Sequence, residues 1–166
     1  MQAERIDSGD IAFRSLPDVC ADALREIPVL LASSDPRVRE RLHPPTFDDE
    51  EREAEWRRIA GPELEHLIAD RVSLVKEDLR TLQVDQNGTF SMTIDQRREA
   101  AWLSALNAAR LALFVLNGLV PADMERDPHE LDDPSKGAAL LDIHLLAWVQ
   151  ELIMRTTDFA AGDPGR

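Results

Sequence analysis

Apolar residues recur every three or four positions along most of this sequence, which is the spacing of one face of an α-helix. Pro28 should kink the first predicted helix or end it early, because its ring removes a backbone hydrogen bond. Gly61-Pro62 should end the third helix and start a fourth. Together with the Ser, Asp and Pro start signals, the pattern predicts helices over 17–31, 36–42, 48–60, 62–82, 95–117 and 134–157.

The fifth predicted helix, 95–117, differs from the others because it is apolar on several sides. Trp102, Leu106 and Leu113 mark one face, and Phe114 lies beside it. A helix that is apolar all round is buried on more than one side. We therefore expect this helix at the centre of a bundle.

Two short stretches alternate between apolar and polar residues, as half-buried β-strands do. Residues 84–94 contain Asn87-Gly88 between alternating apolar positions, a sequence typical of a β-hairpin turn. Residues 6–15 contain a turn-forming Asp-Ser-Gly-Asp sequence. The predicted fold is mainly α, a compact bundle of about five to six helices with one or two small β elements, near 6–15 and 84–94.

The length and the short connections favour a single helical domain, 1–166, with frayed termini at 1–4 and 158–166. The first residues lack the positively charged and apolar parts of a signal peptide. The longest near-continuous apolar stretch, 111–116, is far shorter than the ~20 residues that span a bilayer. With one free cysteine and no export signal, the expected location is the cytoplasm.

The charge balance is strongly acidic: 19 Lys+Arg stand against 32 Asp+Glu, a formal net charge of −13. Nucleic-acid phosphates and anionic membranes both attract clustered Lys and Arg, so we expect neither partner. The single cysteine, Cys20, excludes an internal disulfide framework. Because it lies on an apolar helix face without a neighbouring base, we interpret it as a small buried hydrophobe.

The sequence shows no catalytic or metal-binding constellation. Its four histidines, His43, His66, His129 and His144, are not paired at i,i+4, and no HExxH sequence is present. We interpret the acidic stretches as solvated surface, where Glu53 and Arg57 form an ordinary i,i+4 pair. The expectation is no catalytic residue, no metal and no cofactor, and we lean against an enzyme.

Arg110 is the most informative single residue, because it lies midway along the most apolar helix. A half-buried arginine needs a carboxylate or several carbonyl groups as partners. We favour a structural role, in which Arg110 joins two helices through an acidic residue. The alternative is a pocket in which Arg110, Asn107 and Arg41 bind an anionic ligand.

Three stretches stand in an order and spacing that are specific to one family. They are Asp35-Pro36 through Arg41-Leu42-His43-Pro44-Pro45 to Phe47 and Asp49, then Glu53 to Arg58, then Trp102-Leu103 with Leu106-Asn107 and Arg110-Leu111 to Leu113. These stretches resemble the bacterial, mainly actinobacterial, family DUF2017, a domain of unknown function, over about Ile11 to Thr157. The resemblance implies an all-helical cytoplasmic protein and supplies no activity.

Three hypotheses about function remain at this point. The leading one is a non-catalytic interaction or regulatory protein that forms a homo-oligomer or binds another protein, because apolar residues lie on more than one helix face. The second is a small-anion-binding protein or enzyme that uses Arg110, Asn107 and Arg41. The third is a DNA-binding transcriptional regulator with a helix-turn-helix at 59–62, disfavoured because Glu63 and Glu65 would lie where DNA phosphates bind.

Overall fold

Helices dominate the architecture seen in a computed structural model, which describes residues 1–161 of the chain and the side chains of residues 1–156. This confirms the predicted mainly α fold with small β elements. The helices are α1 Asp18–Leu31, α2 Pro36–Leu42, α3 Glu50–Leu79, α4 Glu99–Leu116 and α5 Pro134–Ala161. The strands are β1 Gln2–Arg5, β2 Ile11–Leu16, β3 Gln83–Val84 and β4 Phe90–Ile94, and short 3₁₀ turns lie at Gln96–Arg98, Pro121–Glu125 and Pro128–Glu130.

The two predicted β elements join into one antiparallel sheet with the strand order β1-β2-β4-β3. In its centre, Ile11 of β2 is opposite Ile94 of β4, and Phe13 is opposite Met92. An irregularity after Phe13, where Ser15 has φ of +54°, turns Leu16 back toward the core. The sheet therefore presents an apolar face to the helices.

The N-terminal residues are better ordered than the sequence predicts. We expected residues 1–4 to fray, but Gln2–Arg5 pair with β2 as the edge strand β1. The guanidinium of Arg5 donates to Glu99 at 3.0 Å and to the carbonyl oxygen of Gly9 at 2.6 Å, so side-chain contacts hold this strand as well. The other expected frayed segment, 158–166, lies partly outside the described residues.

Gly61-Pro62 does not break the chain into two helices, and this prediction was wrong. Helix α3 runs without interruption for 30 residues with Pro62 inside it. A proline normally forces the residue before it out of the helical region by a clash that involves that residue's Cβ, and Gly61 has no Cβ. The residues considered for a helix-turn-helix therefore lie inside one helix, which removes the geometric basis of that hypothesis.

Helix α1 likewise continues through Pro28 to Leu31 instead of ending early. Ile27 is fully buried, and Leu30 and Leu31 are nearly so. Each large apolar side chain contributes about 1.5–3 kcal/mol on burial, which offsets the hydrogen bond that Pro28 removes.

Helix α4 is the central helix, as its apolar sides predict. It packs against α1, α2, α3 and α5, and Trp102, Leu106 and Ala109 are completely buried. Buried side chains from β2, β4 and all five helices form one hydrophobic core around it.

Two segments, Gln96–Leu116 and Pro134–Thr156, are long and apolar enough to cross a membrane by length and composition. They correspond to α4 with the preceding 3₁₀ turn, and to most of α5. In this fold the two helices pack against each other, and 33% and 39% of the two apolar windows are buried.

Candidate functional site

Arg110 has a neutral partner where the sequence favoured a carboxylate. Its Nη1 atom donates to the side-chain oxygen of Gln150 on α5 at 3.0 Å, so the residue does join two helices. Its Nε atom is buried without a hydrogen-bond partner. The half-buried guanidinium therefore keeps a buried donor, Nε, unused.

The other two residues of the predicted anion pocket are exposed. Asn107 lies one turn before Arg110 on α4, and Arg41 lies in the last turn of α2, which packs against α4. Neither of the two most evident grooves on the described surface includes any of these three residues. The pocket formed by Arg110, Asn107 and Arg41 stays a prediction.

A buried carboxylate–arginine pair does exist, at residues that the sequence did not single out. Asp78, in the last turn of α3, accepts from Nη1 of Arg98 at 2.7 Å and from the indole N–H of Trp102 at 2.8 Å. Asp78 is 6% exposed and Trp102 is fully buried. We call Asp78, Arg98 and Trp102 the Asp78 cluster, and it joins the end of α3 to the start of α4.

The electrostatics of the Asp78 cluster are those of a structural contact. Burial alone would lower the pKa of Arg98, but the nearby carboxylates of Asp78 and Glu77 raise that pKa above its usual range. Nη2 of Arg98 lies 3.0 Å from Glu77. Each carboxylate oxygen of Asp78 accepts one hydrogen bond from within the protein, so both oxygens are engaged in joining the two helices.

The lone thiol is not a nucleophile. Cys20 is fully buried, as its position on an apolar helix face predicts, and burial raises its pKa to about 11. A thiol with that pKa is protonated at neutral pH, whereas nucleophilic cysteines are thiolates.

No group of three or more His, Cys, Asp or Glu side chains is arranged to hold a metal ion within the part of the chain that the structure describes. His43 is half-buried beside the loop that follows α2. Burial and the positive charges of Arg57, Arg71 and Arg39 lower its pKa, so it is neutral at pH 7. A neutral imidazole beside arginines is an environment that repels a cation.

The most unusual surface of the protein lies on α3. Four large apolar side chains of this helix are exposed: Trp56 (40%), Ile59 (62%), Leu64 (38%) and Leu67 (49%). We call these four residues the α3 stripe. Only the last turns of the helix, with Val72 and Val75, are buried in the core. Helical spacing in the sequence does not reveal which of these apolar positions is covered.

The start of α3 is fixed by the loop before it. Asp49 caps the helix by accepting from the backbone N–H of Arg52 at 2.8 Å. Glu53 accepts from the backbone N–H groups of Thr46 and Phe47 at 2.8 and 3.0 Å. The predicted Glu53–Arg57 pair is confirmed, with 2.5 Å between Oε1 and Nε. The first turns of α3 therefore have a defined position.

Aromatic contacts support one end of the α3 stripe. Phe47 packs edge-on against Trp56 with 6.3 Å between ring centroids. The guanidinium of Arg52 lies 4.5 Å from the centre of the Phe47 ring. Phe47, Trp56 and Ile59 line a shallow open groove on this surface. Rigid aromatic side chains of this kind are enriched at protein interfaces.

Polar side chains beside the α3 stripe contact the rest of the protein, and the α3 stripe itself is exposed. Nη2 of Arg57 donates to the carbonyl oxygen of His43 at 3.2 Å, and Glu65 lies 3.4 Å from Arg39 of α2. At 3.6 residues per turn, Leu67 lies about 200° around the helix from Glu65. The apolar side chains are therefore accessible to another molecule.

Comparison with known proteins gives a family and no activity. No curated protein and no solved structure matches the chain. The family model of DUF2017, a domain of unknown function, matches residues 10–157. That range agrees with the extent of the sequence resemblance. The chain therefore belongs to the DUF2017 family.

Proposed function

We propose that this protein is a non-catalytic interaction or regulatory protein that binds another protein chain through the α3 stripe. The single observation that carries the proposal is the exposure of Trp56, Ile59, Leu64 and Leu67 along one helix. A partner would cover these side chains as the core covers those of α4.

The size of the α3 stripe supports binding. With about 200 Å² for the full area of a large side chain, the exposed fractions amount to about 400 Å² of apolar surface. Patches of roughly 300–600 Å² are the largest on typical monomers and are often functional. Covering this area contributes about 10 kcal/mol, against association costs of about 4–15 kcal/mol. A reversible interaction is therefore the expected outcome.

The chemistry of the α3 stripe favours a protein partner. An apolar stripe along a helix is the form in which helices pack into grooves or against other helices. The net charge of −13 opposes binding to nucleic acid or to an anionic membrane. These features support a cytoplasmic protein–protein interaction.

Photo-cross-linking in cells tests the proposal. The full chain carries a photoreactive amino acid in place of Ile59, on the α3 stripe, or in place of Arg58, on the other side of the helix from Trp56. We expect one discrete cross-linked species from position 59 that disappears when Leu67→Glu is also present. Equal cross-linking from both positions, or none from position 59, would contradict the proposal.

A second candidate function rests on the unused donor of Arg110. A small anion that reaches this guanidinium would complete its hydrogen bonds, with Asn107 and Arg41 on neighbouring surfaces. Such a site predicts that inorganic phosphate raises the Tm of the protein and that Arg110→Met abolishes the increase. The same increase in the variant, or none in either protein, would reject this candidate.

A further inference from the structure

We propose that the α3 stripe is covered by α3 of a second copy of this chain, packed antiparallel, with a two-fold axis beside the Gly61–Pro62 peptide bond. The inference rests on the proposed function, because it names the partner of the same surface. It is independent of any catalytic activity.

The positions of the four exposed residues carry the inference. A two-fold interface requires that residue i of one copy contacts residue j of the other, and that j contacts i. Trp56 precedes Gly61 by five residues and Leu67 follows Pro62 by five. Ile59 precedes Gly61 by two and Leu64 follows Pro62 by two.

An antiparallel pair centred between Gly61 and Pro62 therefore brings Trp56 of each copy to the level of Leu67 of the other. It brings Ile59 to the level of Leu64 in the same way. Trp56 and Leu67 lie within about 20° of each other around the helix, so they face each other across the pair, whereas Ile59 and Leu64 flank this contact on opposite edges.

Charges at the edge of the α3 stripe agree with the same arrangement. Arg52 and Asp70 are 18 residues apart, which is five full turns at 3.6 residues per turn, so they lie on the same edge. In a two-fold antiparallel pair the same edges meet. Arg52 precedes Gly61 by nine residues and Asp70 follows Pro62 by eight, so each arginine comes within side-chain reach of the other copy's aspartate. Both are exposed.

Two side chains near the axis affect how closely the two helices can pack and how stable the dimer is. Ala60 is small and lies close to the axis on the inward side of the pair, so the two helices can approach each other there. Glu63 lies equally close to the axis, and the two copies bring a pair of like charges together. This charge pair opposes dimerisation, so neutralising Glu63 should strengthen the dimer.

The area available is near the lower end of what a specific dimer needs. Standard interfaces bury about 800 Å² on each partner, of which somewhat more than half is apolar. The α3 stripe supplies about 400 Å² per copy, so the flanking polar residues must supply the rest. The dimer is therefore expected to dissociate on dilution.

Sedimentation equilibrium of the purified full chain tests the dimer. The 18.6 kDa chain should reach twice that mass as its concentration rises. Leu67→Glu should remain monomeric, whereas Ala69→Glu adds the same charge at an exposed position on the other side of α3 and should dimerise like the wild type. Glu63→Gln should lower the dissociation constant several-fold. Far-UV circular dichroism verifies that each variant is folded.

Cysteine cross-linking tests the register of the pair. Because Cys20 is fully buried, a cysteine introduced on α3 is the reactive thiol of the folded protein. In the Ala60→Cys variant, the two introduced cysteines, one from each copy, should form a disulfide across the axis under mild oxidation. Arg58→Cys, on the other side of the helix, should not. Equal cross-linking of the two variants would overturn the antiparallel arrangement.

The two proposals can fail separately. A wild-type chain that remains monomeric at every concentration overturns the second-copy inference. If position 59 still cross-links to a different protein in cells, the proposed function stands with another partner. If that cross-link is absent as well, both proposals are wrong.

Discussion

Removing the carboxylate of Asp78 should destabilise the fold at the junction of α3 and α4. In Asp78→Ala, the buried indole N–H of Trp102 loses its acceptor at 2.8 Å. A buried donor without a partner costs about 1–3 kcal/mol. Arg98 also loses a contact at 2.7 Å, but its side chain is 23% exposed, so water and Glu77 replace part of that interaction.

The expected loss of unfolding free energy for Asp78→Ala is therefore about 2–4 kcal/mol. Glu77→Ala is the matched control, since it removes a neighbouring carboxylate that is 58% exposed. An exposed ion pair of that kind contributes about 0–1 kcal/mol. Urea unfolding followed by far-UV circular dichroism measures both values. If both substitutions cost the same, the Asp78 cluster has no special role.

A double-mutant cycle isolates the buried hydrogen bond. Trp102→Phe removes the indole N–H and leaves an aromatic side chain in the core. Combined with Asp78→Ala, it should cost about 1–2 kcal/mol less than the sum of the two single changes, because no donor is then left unpaired. Strict additivity would show that the 2.8 Å contact contributes nothing to stability.

Three further predictions concern other parts of the protein. Pro62→Ala should raise the urea midpoint, because alanine restores the helical hydrogen bond at a gain of up to about 3 kcal/mol; an unchanged midpoint would contradict this. Cys20 should react with a thiol reagent only in denaturant, since its pKa is raised to about 11 and it is buried; rapid reaction of the folded protein would refute it. The pKa of Glu53 is lowered, since hydrogen bonds from Phe47 and Thr46 and the nearby Arg57 outweigh the effect of burial. The stabilisation by this carboxylate is present above its unfolded pKa of about 4.3 and is lost as pH falls through the lower folded value. In the wild type, protease cleavage of the 43–49 loop should increase as the pH falls through these two pKa values. In Glu53→Gln the increased cleavage should be present already at pH 7. Wild-type cleavage that is independent of pH would contradict the role of Glu53.

Local features of the fold follow from the sequence because they depend on neighbouring residues. The Asn87-Gly88 hairpin, the Asp35 and Pro36 helix start and the Glu53–Arg57 pair all appear as predicted. Each involves residues within a few positions of one another, where spacing alone sets the contact.

Features that join distant segments did not follow from the sequence. The pairing of β2 with β4 links two hairpins about 80 residues apart. Each hairpin would show the same alternating sequence pattern whether or not it paired with the other. Asp78 is separated from Arg98 and Trp102 by 20 and 24 residues, and no spacing rule connects them. At Gly61-Pro62 the glycine makes the proline compatible with a helix, so a strong turn signal was misleading.

The candidate site, too, could be predicted only in part from the sequence. Trp56, Ile59, Leu64 and Leu67 have the spacing of a core stripe, and only the structure places them outside. Arg110 was expected to meet a carboxylate, but the residue opposite it on α5 is Gln150, which no local pattern indicates. A sequence therefore identifies an apolar helix face without showing what covers it.

Hydrogen–deuterium exchange of the purified full chain at two concentrations is the most direct test that the α3 stripe is an interface. The account predicts that backbone amides of residues 56–67 exchange more slowly at the higher concentration. Amides of residues 140–150 in α5, a segment that packs into the core through Leu140, Ile143, Leu146 and Val149, should exchange at the same rate in both samples. Identical exchange of residues 56–67 at both concentrations, together with no cross-link from position 59 in cells, would contradict the account.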